Sequence, residues 1–233
     1  MPLPTPDEIK TFPAYTLADV ARYVGASEPT IRAWFRGRPA ASSKKGAFRR
    51  AAVKPILPTG AGPREMLSFL DLIEAHMLFA LRKAYNFPLG RVRKAAEYVA
   101  SLEGSLMLLA HKDFIHDHRD LFLGENQRLL SLTEGGQLAD KTILEKGLHQ
   151  VTFGSDGYVE KFFPNSKGKP QQDFMVNPSV NFGRLSVARI NVGADALFQR
   201  VDAGEKIEDI AEDYGATQAE IVEAIRWHER LAA

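Results

Sequence analysis

The chain contains no cysteine, which removes disulfide frameworks, cysteine-ligated zinc, iron–sulfur clusters and thiol nucleophiles in one step. It has no apolar run of the roughly 18 residues that a transmembrane helix needs, and no glycine-rich phosphate loop, nucleophile elbow or His-Glu-x-x-His pattern. The opening residues Met1-Pro2-Leu3-Pro4-Thr5-Pro6-Asp7-Glu8 are proline-rich and acidic, the reverse of a secretory leader. These absences predict a soluble cytoplasmic protein that does not meet a membrane, needs no cofactor and is not an enzyme. What remains is 233 residues, 45% hydrophobic and 25% charged, enough for one large domain or two to three small ones.

The net charge of +1 conceals a division. Residues 1–99 hold 16 Lys/Arg against 8 Asp/Glu, whereas residues 100–233 hold 14 against 21. Between 22 and 64 the ratio is ten basic to one acidic (Glu28), and between 193 and 233 it is four to ten. Such asymmetry predicts different partners for the two halves.

Local patterns give the elements. Thr16 is placed to cap a short helix with Leu17, Val20, Ala21 and Val24 on its apolar face, ended by Gly25. Ser27 then caps a second helix, with Pro29 in its first turn and Ile31, Trp34 and Phe35 as its stripe. Residues 36–62 read as a basic loop in which Ile56-Leu57 forms a small strand. A helix is expected over 66–83 through Leu70, Ile73, Met77 and Leu81, and another after Pro88 through Val92, Ala95, Ala96 and Val99. Short apolar runs over 106–132 predict an antiparallel meander, followed by a helix at 137–148. Gly154-Ser155-Asp156-Gly157 between two β-type runs predicts a hairpin over 150–163. Residues 164–172 read as a linker, and three helices follow at 193–203, 205–214 and 217–230.

A helix-turn-helix needs a small residue where its helices touch, a glycine in the turn and apolar residues on the facing sides. With Leu17 as the first position, Val20, Ala21, Val24, Gly25, Ala26, Ile31 and Trp34 occupy the fourth, fifth, eighth, ninth, tenth, fifteenth and eighteenth. With Ile207 first, the same places hold Ile210, Ala211, Tyr214, Gly215, Ala216, Ile221 and Ala224. Charge separates the two units, because neutralising phosphates supplies nearly all non-specific DNA affinity. The first carries Arg32 and leads into Arg36, Arg38, Lys44, Lys45, Arg49, Arg50 and Lys54; the second carries Glu205, Glu208, Asp209, Glu212, Asp213, Glu220 and Glu223. DNA contact is therefore expected at Thr16, Ser27, Thr30, Arg32, Arg36, Arg38, Lys44, Lys45, Arg49 and Arg50, with Arg32 in the groove and the later basic residues on phosphates. Dimer or partner-protein contact is expected at those seven acids together with Arg184 and Arg189. The two arginines flank a short strand or turn and are expected to pair with acids of the helices that follow or of a second subunit.

Tyr15-Thr16-Leu17-Ala18-Asp19-Val20-Ala21, Val24-Gly25-Ala26-Ser27 and Thr30-Ile31-Arg32-Ala33-Trp34 resemble the winged helix-turn-helix of MerR-like regulators. Leu67 to Leu72 and Pro88 to Ala95 resemble that family's second helical pair. The cysteines with which that family senses metals are missing. The last 60 residues or so are similar to a small domain of VapB-type antitoxins partnered with PIN-like ribonuclease toxins. The resemblance rests on Asn177-Pro178, Phe182-Gly183-Arg184, Arg189-Ile190, the run from Gly204 to Gly215, and Glu223-Ala224-Ile225-Arg226. Leu185 stands where that domain usually has proline, and its Gly-Thr before the Arg-Ile pair is absent. The resemblance implies a homodimeric antitoxin that binds operator DNA and a cognate PIN-like toxin. The alternative is a stand-alone MerR-like dimeric regulator whose C-terminal half senses a small effector.

The expected fold is mainly α with small antiparallel β elements, an α+β class. It divides into a winged helix-turn-helix domain at 1–100, a β-containing middle region at 101–170 and a helical antitoxin-type domain at 171–233. His111, His116 and His118 cluster in sequence without a fourth ligand at a compelling spacing, so no metal is expected. Asp113, Asp117 and Asp120 read as solvated turn residues, and Trp34 and Trp227 as core.

Overall fold

The computed structural model describes residues 6–42, 49–50, 52, 54–57, 66–85, 108–112, 149–164 and 172–232. Seven α-helices and small antiparallel sheets stand among them, an α+β arrangement in agreement with the sequence. After α1 (Pro6–Thr11), α2 (Leu17–Val24) starts in a capping box. The Thr16 hydroxyl accepts the Asp19 amide (3.1 Å) while the Asp19 carboxylate accepts the Thr16 amide (2.9 Å), so two amides left unpaired at a helix start are satisfied reciprocally. Gly25, at φ 76°, closes the helix; a side chain there would be strained. α3 (Glu28–Arg36) follows at once, with Ile31, Ala33, Trp34 and Phe35 buried.

β2 (Ala41–Ser42) and β3 (Arg49–Arg50) then pair antiparallel, with Ala41 opposite Arg50. The strand expected at Ile56-Leu57 is instead a bend. Both amides donate to the Trp34 carbonyl (2.8 and 3.1 Å) and both side chains are buried. The apolar pair thus finishes the end of α3, and its hydrogen bonds go to a helix carbonyl instead of a neighbouring strand.

The start of the next helix also shifts. Met66–Leu67 is β4, paired with β1 (Tyr15–Thr16), and α4 (Phe69–Tyr85) begins only after Ser68. There Ser68 and Asp71 repeat the reciprocal cap of Thr16 and Asp19. Every residue from Leu67 to Leu78 is buried, so α4 is a central helix wrapped on all sides, broader in its burial than the one stripe expected. That burial includes Asp71, Glu74 and His76. The Glu74 carboxylate accepts the Ala110 amide (3.1 Å), which holds the 3₁₀ turn Leu108–Ala110 against α4. A strand had been expected from the apolar run ending at Leu109. The rest of the predicted meander, the helix after Pro88, the helix at 137–148 and most of the linker lie outside the described residues.

β5 (Val151–Phe153) and β6 (Val159–Phe162) form the predicted hairpin, with a bulge at Thr152/Phe153 and Gly157 at φ 85°. Lys10 on α1 donates to Asp156 in its turn (2.5 Å). Phe162 bridges onward to Val176, beside a three-stranded sheet of β7 (Phe174–Met175), β8 (Ser186–Val187) and β9 (Val192–Gly193) in sequence order. α5 (Ala194–Asp202), α6 (Ile207–Tyr214) and α7 (Gln218–Ala232) complete the chain within about two residues of expectation. One buried apolar cluster runs from Tyr15 and Val20 through Leu72 and Phe162 to Leu197 and Trp227.

Glu74 generates a stability prediction. Burial, opposed by the Ala110 and Leu109 amides, pushes its carboxyl up to about 8. The folded state therefore binds this proton more tightly than the unfolded chain, and its stability should fall as pH rises from about 4.5 to about 8. In urea titrations across that range, Glu74→Gln should flatten the decline while keeping a partner for the Ala110 amide.

Candidate nucleic-acid interface

The two helix pairs picked out by spacing have the same local geometry. In each, a glycine in the left-handed region ends the first helix (Gly25 at φ 76°, ψ 27°; Gly215 at φ 60°, ψ 30°). In each, the next alanine's amide returns to an alanine carbonyl one turn earlier: Ala26 to Ala21 at 3.0 Å, Ala216 to Ala211 at 2.8 Å. The buried residues match too, with Val20, Ala21, Ile31 and Trp34 in the first and Ile210, Ala211, Ile221 and Ala224 in the second. Trp34 and Trp227 are both buried, and the Arg230 guanidinium lies 4.2 Å over the Trp227 ring.

The first unit presents its expected DNA residues unequally. Arg32 is on the open face of α3, its side chain 59% exposed and paired to Glu28 at 2.6 Å. An exposed i,i+4 pair of this kind is worth only a few tenths of a kcal/mol, so the arginine is readily given up to a phosphate or base edge. Ser27 is exposed and Thr30 half-buried at the start of α3, their hydroxyls 2.8 Å apart. Arg38 is exposed beyond the helix. Arg49 and Arg50 form β3, and Lys44 and Lys45 lie outside the described residues. The Thr16 hydroxyl both accepts from the Asp19 amide and donates to the Asp19 carboxylate (2.6 Å), so it is engaged in the cap.

Arg36 is half-buried and turned inward. Its Nη2 and the Asp71 Oδ1 are shielded from solvent, and neither forms a hydrogen bond among the described residues. Burial raises the Asp71 carboxyl, while the Ser68 hydrogen bonds and the Arg36 charge hold it down. The Arg36 charge thus offsets part of the cost of burying Asp71. The burial of Asp71 and Glu74 was not predicted, although the two stand out as carboxylates three apart in an otherwise apolar helix.

Most acids of the second unit are engaged by arginines of the same chain. Arg189 grips Glu220 with two hydrogen bonds (3.0 and 2.8 Å) and the Gly215 carbonyl with a third (2.8 Å). Glu220 also caps α7 through the Thr217 amide (2.7 Å). Arg200 pairs with Glu205 and with Asp213 (2.6 Å), Arg184 with Asp195 (2.7 Å), and Glu223 with Arg226 and Arg230 (3.3 and 3.2 Å). Glu208, Asp209 and Glu212 are exposed on α6 and form no ion pair among the described residues. No group of three His, Asp or Glu able to hold a metal occurs among the described residues. His111 is packed edge-on against Tyr158, and His116 and His118 are outside the described set.

Residues 13–96 match a protein family described as "Putative DNA-binding HTH domain", and the first helix pair lies within the matched stretch. Two proteins of Mycobacterium tuberculosis are similar over nearly the whole chain. One, named "Putative antitoxin VapB45", is 24% identical over 225 residues, spanning 91% of this chain and 92% of its own. The other, the uncharacterized protein Rv2308, is 26% identical over 219 residues, spanning 91% and 88%. The crystal structure of Rv2018 from the same organism superposes with a TM-score of 0.65 at 22% identity, covering 92% of this chain and 97% of that one, and so shares the fold.

Two measurements test this geometry. Thr16→Ala should destabilise the fold by about 1 kcal/mol in chemical denaturation, the usual worth of a helix cap. The second concerns acid. Arg189 beside Glu220, helped by the Thr217 cap, holds that carboxyl down to about 2 against partial burial. Its contribution is present above the ordinary glutamate range and is lost as pH falls through about 2. Glu220→Gln should lower stability at neutral pH, and the gap to the parent should close on acidification.

Proposed function

We propose that this chain is an antitoxin-type transcriptional repressor that binds operator DNA through its basic N-terminal unit and a ribonuclease toxin of the PIN-like kind through its acidic C-terminal part. The observation that carries the reading is the pair of helix-turn-helix units with matched geometry and opposite charge. Only the first offers α3 with Arg32 exposed, followed by Arg38 and the Arg49–Arg50 strand, and a polyanion needs such a surface. The second offers Glu208, Asp209 and Glu212, which suit the basic groove in which a ribonuclease holds its substrate. The antitoxin name of the relative that is 24% identical along the chain supports the same reading.

In this scheme residues 1–100 form a MerR-like winged unit, with the β2–β3 hairpin as its wing. Residues 101–170 form the middle region and residues 171–233 the antitoxin-type domain, and the protein acts in the cytoplasm on its own operon. A two-fold homodimer would set two copies of α3 about 34 Å apart, one turn of DNA, on a pseudo-palindromic operator. Arg32 reads the groove while Arg38, Lys44, Lys45, Arg49 and Arg50 hold phosphates. Arg36 is half-buried at the end of α3, where its charge acts on Asp71.

The test is a salt titration of operator binding. Arg38→Ala and Arg49→Ala should each weaken binding to all sequences and reduce the salt slope by about one. Arg32→Ala should cost discrimination at one base position, while Arg36→Met should lower stability with the slope unchanged. Unaltered binding by an Arg32→Ala/Arg38→Ala variant would overturn the DNA assignment. For the toxin, the protein encoded by the neighbouring reading frame should co-purify when co-expressed; a frame encoding no small nuclease-like protein would remove that part of the reading.

A further inference from the structure

Between residues 22 and 64 ten basic residues stand against one acid, Glu28. A glutamate in the first turn of a helix, paired to an arginine four residues on, is ordinarily a surface device of little worth. Two features set this one apart. The first is its place. Three helices of the chain begin with Ser or Thr followed three residues later by an acid, and there Asp19, Asp71 and Glu220 accept the capping residue's amide (2.9, 2.8 and 2.7 Å). At α3 that later position is Thr30, and Ser27 makes no side-chain cap, its hydroxyl lying 2.8 Å from the Thr30 hydroxyl. The acid stands instead at the first residue of α3, and its carboxylate runs along the helix to Arg32.

The second feature is that partner. The Glu28 carboxylate accepts from Nη2 of Arg32 at 2.6 Å, and both side chains are open to solvent, 42% and 59% exposed. Arg32 is the residue assigned to the groove, so no DNA can reach its guanidinium without meeting that carboxylate. Against a polyanion this lowers affinity for every sequence. Yet the pair also orders the guanidinium, whose five N–H donors form a rigid fork. With one of them taken by Glu28, enough remain for the two parallel hydrogen bonds that guanine accepts at O6 and N7. A long side chain already held loses less freedom on binding.

We infer that Glu28 is a specificity-determining residue of operator binding, one that holds the Arg32 fork for a guanine and disfavours contact with other sequences. On the matching base the two hydrogen bonds offset the carboxylate's repulsion; on any other base the repulsion stands uncompensated. A repulsive element beside an attractive one is a general route to discrimination. The inference rests on the DNA reading and deepens it by naming what separates the operator from bulk DNA.

The test compares affinities, at one salt concentration, for the DNA upstream of the chain's own reading frame and for a scrambled duplex of equal length. Glu28→Gln should tighten binding to the scrambled duplex about 3-fold and weaken binding to the operator, so that their ratio falls on the order of tenfold. Its Tm should stay within about 2 °C of the parent's, since the pair is exposed. In an Arg32→Ala background, which has lost the fork, Glu28→Gln should leave the ratio where Arg32→Ala alone puts it. If Glu28→Gln moves both affinities by the same factor or moves neither, or if the parent binds both duplexes alike, the inference fails and DNA contact stands. If the parent binds neither duplex, both fail. A further loss of ratio in the double variant would mean that Glu28 touches a base itself, and a larger fall in Tm would make it a residue of the fold. Either result overturns its role in positioning Arg32.

Discussion

The hydrogen bond from the Tyr15 hydroxyl to the Gly183 carbonyl, 2.7 Å long and buried, joins residues 168 positions apart. A buried hydroxyl without a partner costs more than a made hydrogen bond returns, so this contact fixes where the N-terminal helix pair meets the C-terminal sheet. Burial, together with the nearby Tyr23 and Asp19, raises the Tyr15 phenol well above its ordinary value. Tyr23, in the last turn of α2, is buried as well. It is raised mainly by burial and accepts from the Leu185 backbone. Arg22 adds a third tie, donating to the Leu231 carbonyl near the end of α7 (2.5 Å). Basic and acidic units thus share one core.

That shared core gives the charge asymmetry its meaning. Opposite charges that could simply attract are kept on separate surfaces, because the acids nearest the core are already engaged by Arg184, Arg189 and Arg200. Most of the arginine content of the C-terminal part therefore serves the fold, and three of the acids left over, Glu208, Asp209 and Glu212, lie on α6. On the basic side the reverse holds. Arg22 is engaged by the Leu231 carbonyl and Arg36 is half-buried, while Arg32 and Arg38 stay exposed.

What could be read from the sequence follows from how local each signal is. Thr16 with Asp19, Gly25, Gly215 and the helical spacing of Ile207, Ile210 and Ala211 are decided within one or two turns, and those elements stand as expected. The Asp156-Gly157 hairpin is equally local. The start of α4 was misplaced because Met66 and Leu67 are claimed by Tyr15 and Thr16, some 50 residues away. Ile56-Leu57 was misread because two apolar residues carry no period, and the Trp34 carbonyl that organises them is not adjacent in sequence. Pairing for Arg184 and Arg189 was expected, but their partners, Asp195 and Glu220, could only be found in three dimensions. The burial of the Arg36 Nη2 was missed because a basic residue at a helix end reads as solvated.

The encirclement of α4 bears on how this protein can change over evolutionary time. From Leu67 to Leu78 no position faces water, so there is no margin on which polar or bulky replacements could accumulate without cost. Neutral drift should concentrate on α6, the outer face of α3 and the hairpin turns, where specificity for DNA and partner would also diverge. A paralogue could thus acquire a new operator and a new partner while the central helix, with its two sequestered carboxylates, stays almost as it is.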